Sequence, residues 1–154
     1  MAPVFFTSTP PVVHGNTIIV AATHPSIETG AQNRDGSFLS DFYAFNYLFK
    51  GLGLEQTWLT AAAPETLLEK HEPYYYSNPY EHCREVLSRA LLDNHELTPV
   101  AVVESSEMID RFLSEAQTAS ERAKRENASV LLLAFCHGLP NTELLLNCGN
   151  LNKG

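Results

Sequence analysis

The stretch Thr17-Ile-Ile-Val-Ala-Ala-Thr23 constrains the fold of this chain more than any other segment. Its interior holds no polar residue, and its β-branched content favours extended backbone. A strand turns alternate side chains to opposite faces, so an uninterrupted apolar strand must be covered on both. A second run, Val130-Leu-Leu-Leu-Ala-Phe135, has the same character. Together they predict two neighbouring interior strands of a mostly parallel sheet flanked by helices, an α/β fold.

The chain between these runs supplies the rest of such a sheet. Phe38, Phe42, Phe45, Phe49 and Leu52 recur at helical spacing, with Ser37 as a cap and Gly51 and Gly53 as a stop. Leu54 to Thr60 then predicts a second strand, completing a βαβ unit. Pro64 to His71 predicts a two-turn helix. Asn78-Pro79 predicts the start of another, running to about Asn94 and burying Cys83, Val86, Leu87, Ala90 and Leu91. Val100 to Val103 predicts a short strand. Ser105 or Ser106 should cap a long helix with Met108, Ile109, Phe112, Leu113, Ala116 and Ala123 inward, closed by Lys124 and Arg125 at its carboxyl end. Leu144 to Leu146 predicts a short edge strand. Residues 1–16, with Pro10-Pro11 and a His14-Gly15-Asn16 turn, read as a flexible arm, and residues 17–154 as one domain.

Composition narrows the function. A formal charge of −8 would repel a phosphate backbone, so no nucleic-acid partner is expected. The longest apolar run is too short to span a bilayer, and the amino terminus lacks a basic signal-peptide region, so no membrane association is expected. Cys83, Cys136 and Cys148 show no C-x-x-C spacing, which argues against a disulfide framework and a structural metal site. These features predict a cytoplasmic protein without cofactor or metal. Phosphate loops, dinucleotide glycine motifs, serine nucleophile elbows and H-E-x-x-H helices are all absent from the sequence.

What remains is Phe135-Cys136-His137-Gly138, directly after the second apolar run. Functional groups of open α/β sheets gather at the carboxyl ends of strands, and histidine is suited to proton transfer near neutral pH. The glycine lets substrate backbone approach. The alternative is a histidine that ends a strand and bonds a turn.

An apolar strand running into His-Gly resembles the histidine motif of caspases, metacaspases and legumain-type asparaginyl endopeptidases. The order of strand, loop, aromatic helix and strand before it is also similar, and the likeness spans roughly Thr17 to Gly154. Arg34-Asp35-Gly36-Ser37 resembles the caspase loop whose arginine grips a substrate carboxylate, a task suited to a planar guanidinium. A surface arginine in a turn is the alternative there, and Asp41 fits the family's spacing poorly.

The resemblance implies an incomplete caspase-like domain, with His137 and Gly138 catalytic and Arg34 binding substrate. The family's cysteine nucleophile should end the next core strand. After His137 only Cys148 follows, in the turn-like Asn147-Cys148-Gly149-Asn150, with no room before it for a helix and strand. Cys136 would point to the opposite face of a continuing strand. The expectation is therefore the amino-terminal portion of a cysteine endopeptidase, inactive alone, with a peptide or protein as substrate or partner. Self-association, or a complementing polypeptide, would complete its sheet. A non-catalytic module of the same fold and an unrelated flavodoxin-like binding domain are the other readings.

Overall fold

The computed structural model describes residues 13–23, 36–70, 85–138 and 144–145. Strand β1 (Thr17–Thr23) is buried along its whole length, as its composition requires. It pairs in parallel with β2 (Glu55–Thr60) on one side and with β4 (Ser129–Phe135) on the other. The short strand β3 (Ala101–Val102) pairs in parallel with β2, and the sheet order is β3-β2-β1-β4. The fold is α/β, with an all-parallel four-stranded sheet between helices.

Helix α1 (Gly36–Phe49) covers one face. There Ile19 and Ala21 of β1, Trp58 of β2, and Leu131, Leu133 and Phe135 of β4 meet Leu39, Phe42, Tyr43 and Phe49. The expected aromatic stripe is present but wider, because Leu39, Tyr43 and Asn46 are buried with it. The helix begins at Gly36 and so includes Ser37, and Leu52 falls beyond its end and is exposed. Gly51 and Gly53 stop it with positive φ angles. At Gly53 a Cβ would stand 2.5 Å from the Thr17 carbonyl oxygen, because the turn closes directly onto β1. The Leu54 amide donates to that same oxygen at 2.7 Å.

Helix α4 (Met108–Glu126) covers the other face, where Met108, Phe112, Ala119 and Ala123 meet Ile18, Val20, Ala22 and Leu59. The recurrence 108, 112, 119, 123 keeps one narrow stripe inward and puts alanines at two of its four positions. Ile109 and Leu113, expected inside, are exposed. Ser105 and Ser106 lie within a 3-10 turn before α4 and do not cap it; the capping position is Glu107. Asn127, in the left-handed region, ends the helix after Lys124 and Arg125.

Two shorter helices flank this framework, α2 (Pro64–Lys70) and α3 (Arg89–Asp93). Of the expected helix up to Asn94, residues 78–84 lie outside the described residues, 85–88 are not helical, and α3 forms its last part. The Ser88 hydroxyl caps α3 by accepting from the Leu91 amide at 3.2 Å. Val86 and Leu87 are buried as expected, Ala90 is exposed, and Cys83 lies outside the described residues. The supposed amino-terminal arm is also tied down at its carboxyl end. Val13 packs against the α1-side core, and the Ser129 amide donates to the Asn16 carbonyl at 3.0 Å. Residues 1–12 lie outside the described residues.

Asn46 fixes α1 to the segment before β3. Fully buried, it accepts from the Thr98 amide at 2.8 Å and donates to the Thr98 carbonyl at 3.0 Å. Asn46→Ala removes both bonds and strands two backbone groups. The expected loss is roughly 2–3 kcal/mol, about 1 kcal/mol per bond plus desolvation. Urea unfolding checks it, and a midpoint equal to the parent's would contradict this role for Asn46.

Candidate functional site

In a sheet of order β3-β2-β1-β4 the β1–β2 and β3–β4 connections run in opposite directions, so the topological switch point lies between β1 and β4. Thr60, Thr23 and Phe135 stand side by side at the carboxyl ends of β2, β1 and β4. The buried Thr23 hydroxyl donates to the Phe135 carbonyl at 3.1 Å, clamping the two strands where the crevice opens. The Phe135 ring meets Phe42 edge-on at 5.8 Å and leans on Phe45 at 5.6 Å. The chain leaving this point therefore starts from a fixed support.

That chain is Cys136-His137-Gly138. Cys136 packs into the α4-side cluster, opposite to Phe135. His137 and Gly138 form β5 (His137–Gly138), which pairs in antiparallel fashion with β6 (Leu144–Leu145). The expected strand at Leu144 thus exists and belongs to a separate ribbon. His137 follows the strand beside β1, as expected. β4, however, is the edge of the main sheet among the described residues, not an interior strand. Arg34 lies outside the described residues. Asp41 of α1 has its carboxyl pushed above the usual range by partial burial.

Helical spacing shows which way the flanks of α1 and α4 face. Glu115, Thr118 and Arg122 line a groove with Glu55 and Thr57 of β2, and Arg122 pairs with Glu55. The opposite flank of α4, with Ile109 and Leu113, is turned to the β4 side. On α1, Asn46 reaches toward the β3 side and Phe45 touches Phe135 of β4. Leu48 shares the outer face of α1 with the exposed Asp41, turned away from the sheet. Leu48 and Leu113 are each 58% exposed, Leu132 of β4 49% and Ile109 37%. On the β4 side, then, Ile109 and Leu113 of α4 are the bare apolar side chains of the helix flank.

A second concavity lies at the other end of the sheet, on the α1 face. It is a cleft of about 320 Å³ between Tyr43 of α1, the start of α2, α3 and the segment 97–100. The Tyr43 hydroxyl is buried there without a hydrogen-bond partner among the described residues. Burial, and to a lesser degree the nearby Glu65 carboxylate, push its ionisation far above the ordinary phenol range, so it stays a protonated donor. Sequence reasoning missed Tyr43 and Asn46. The available signal was a polar side chain recurring on the apolar stripe of Phe38-Leu-Ser-Asp-Phe-Tyr-Ala-Phe-Asn-Tyr-Leu-Phe49.

Compared with protein-family models, curated proteins and solved structures, the chain matches none. Among the described residues, no three histidine, cysteine, aspartate or glutamate side chains gather as a metal site. No helix among them is long and apolar enough to cross a membrane.

Proposed function

We propose that this chain is the amino-terminal portion of a caspase- or legumain-like cysteine endopeptidase. His137 is its general base and acid, Gly138 lines the oxyanion surroundings, and Arg34 grips a substrate carboxylate. The reading rests on the β4 edge, which lacks a neighbour among the described residues while Ile109, Leu113 and Leu132 lie bare on its α4 side. A further parallel strand would pair along that edge and extend the sheet beneath the α4 flank that carries Ile109 and Leu113. A cysteine ending such a strand would stand beside the segment that carries His137.

There His137 would accept the thiol proton, the thiolate would attack the scissile carbonyl, and the proton would pass to the leaving amine. Water would then release the acyl group. No other strand in the described chain offers a thiol in that position; Cys136 faces the α4 cluster. The substrate is a peptide or protein, and the cytoplasmic setting belongs to the same proposal, motivated by cysteines without paired spacing.

The chain alone should therefore show no turnover of fluorogenic peptides with Asp, Asn, Arg or Lys at the cleavage site. Turnover abolished by His137→Ala would contradict the missing-strand reading. The positive test reads the transcript past the Gly154 codon and expresses the product. An apolar strand ending in cysteine, and activity lost on His137→Ala, are expected. A transcript without such a strand would leave a non-catalytic module of the same fold, in which the bare flank docks a partner.

A further inference from the structure

We propose that the cleft at Tyr43 binds a neutral small molecule, a ring-sized apolar body whose carbonyl accepts a hydrogen bond from the Tyr43 hydroxyl. This site is independent of the peptidase reading. It lies on the α1 face near β3, away from the β1–β4 switch point.

Three observations carry the inference. First, a buried hydroxyl without a partner is costly, and buried polar groups are satisfied in nearly all folded proteins. The Tyr43 ring has good reason to be where it is, since it meets Phe42 edge-on at 5.1 Å. Its hydroxyl adds nothing to that packing, so a phenylalanine would serve the core equally well. Because Tyr43 lines the cleft, the unmet hydrogen bond belongs to whatever enters it.

Second, the cleft is held open by rigid walls. Asn46 bolts Thr98 to α1 through two hydrogen bonds, and the Thr98 hydroxyl adds a third contact to Gln56 at 3.4 Å. Across from it, His95 is held in the left-handed region, and its carbonyl accepts from the Lys50 ammonium. Walls fixed in this way lose little freedom when a ligand is bound.

Third, the lining selects the ligand. Leu91, Leu92, Leu97 and Val100 offer an apolar surface. A cleft of about 320 Å³ sits at the low end of the ~300–1,000 Å³ common for small-molecule sites. Glu65 on the rim disfavours an anion. The protonated phenol donates, which calls for an acceptor on the ligand.

Ligand-observed NMR titration of the full chain with benzamide, benzoate and isopropylbenzene tests this. Benzamide has the ring and the acceptor, benzoate adds a negative charge, and isopropylbenzene lacks the acceptor. Benzamide should bind roughly tenfold more tightly than either of the others. Tyr43→Phe should weaken benzamide about fivefold and leave isopropylbenzene unchanged, which also shows that the cleft is intact. Leu91→Trp should fill the cleft and remove binding of all three. Equal affinities for benzamide and isopropylbenzene, benzamide binding indifferent to Tyr43→Phe, or no binding of benzamide would each overturn the proposal.

Discussion

Phe42→Ala is expected to cost about 4 kcal/mol, enough to bring a domain of ordinary stability close to its unfolding midpoint. Phe42 is fully buried at the centre of the α1-side core. Its ring meets Tyr43, Trp58 and Phe135 edge-on, with centroids 5.1, 5.2 and 5.8 Å away. These three partners come from α1, β2 and β4, so one side chain ties the helix to two strands. Losing the ring forfeits its burial, leaves a cavity between elements that cannot collapse independently, and removes three aromatic contacts of roughly 0.5–1.5 kcal/mol each. Leu48→Ala, on the exposed flank of the same helix, should change stability by no more than about 0.5 kcal/mol. Guanidinium unfolding of both variants makes the comparison. A loss below about 2 kcal/mol at Phe42 would mean that α1 is only loosely seated.

The contrast between β1 and β4 shows what a sequence can and cannot tell. Both runs are apolar throughout, and both form parallel strands in contact with each other, as expected. Composition shows that a strand can tolerate cover on both faces. It does not show whether a neighbour is present to lie along its edge. β1 has partners on both sides and is buried at every position, whereas Leu132 of β4 is half exposed. The same limit explains α4. Met108, Phe112, Ala119 and Ala123 and the flanking Ile109 and Leu113 all satisfy a helical apolar period, and only the position of the sheet decides between them. Small residues mark the true contact face at Ala119 and Ala123, where the helix crosses β1 and bulky side chains would hold it off.

At the site, the placement of His137 after the strand beside β1 was legible because strand ends are set by local pattern. Tyr43 was not, because its significance lies in a missing partner. Whether a phenol finds a hydrogen-bonding neighbour depends on residues 97–100, far away in sequence, and on α3, whose start was obscured by a stronger-looking Asn78-Pro79 signal.

The isolated chain is expected to self-associate through the β4 edge. A strand without a neighbour presents a row of backbone donors and acceptors, and natural edges are blunted by lysine, proline or a bulge. β4 has none of the first two: Ser129-Val-Leu-Leu-Leu-Ala-Phe135 carries neither charge nor proline. Beside it, Ile109, Leu113 and Leu132 add a bare apolar patch on the α4 side of the sheet. Covering three such side chains, each already partly buried, is worth about 1 kcal/mol apiece. About 3 kcal/mol alone corresponds to association weaker than millimolar, and strand pairing along β4 should carry it into the range of hundreds of micromolar. Sedimentation velocity should therefore show a weight-average coefficient that rises with concentration. Leu132→Lys should abolish this rise while leaving the melting temperature nearly unchanged, because the side chain is half exposed and a lysine stem can lie along the strand while its ammonium reaches water. The same substitution should block any complementing strand, so it would also suppress peptidase activity in a chain that carries the cysteine segment. A parent chain that stays monomeric over the whole range would show that the β4 edge needs no neighbour. The missing-strand reading would then lose its structural support, and His137 would belong to a self-contained binding module.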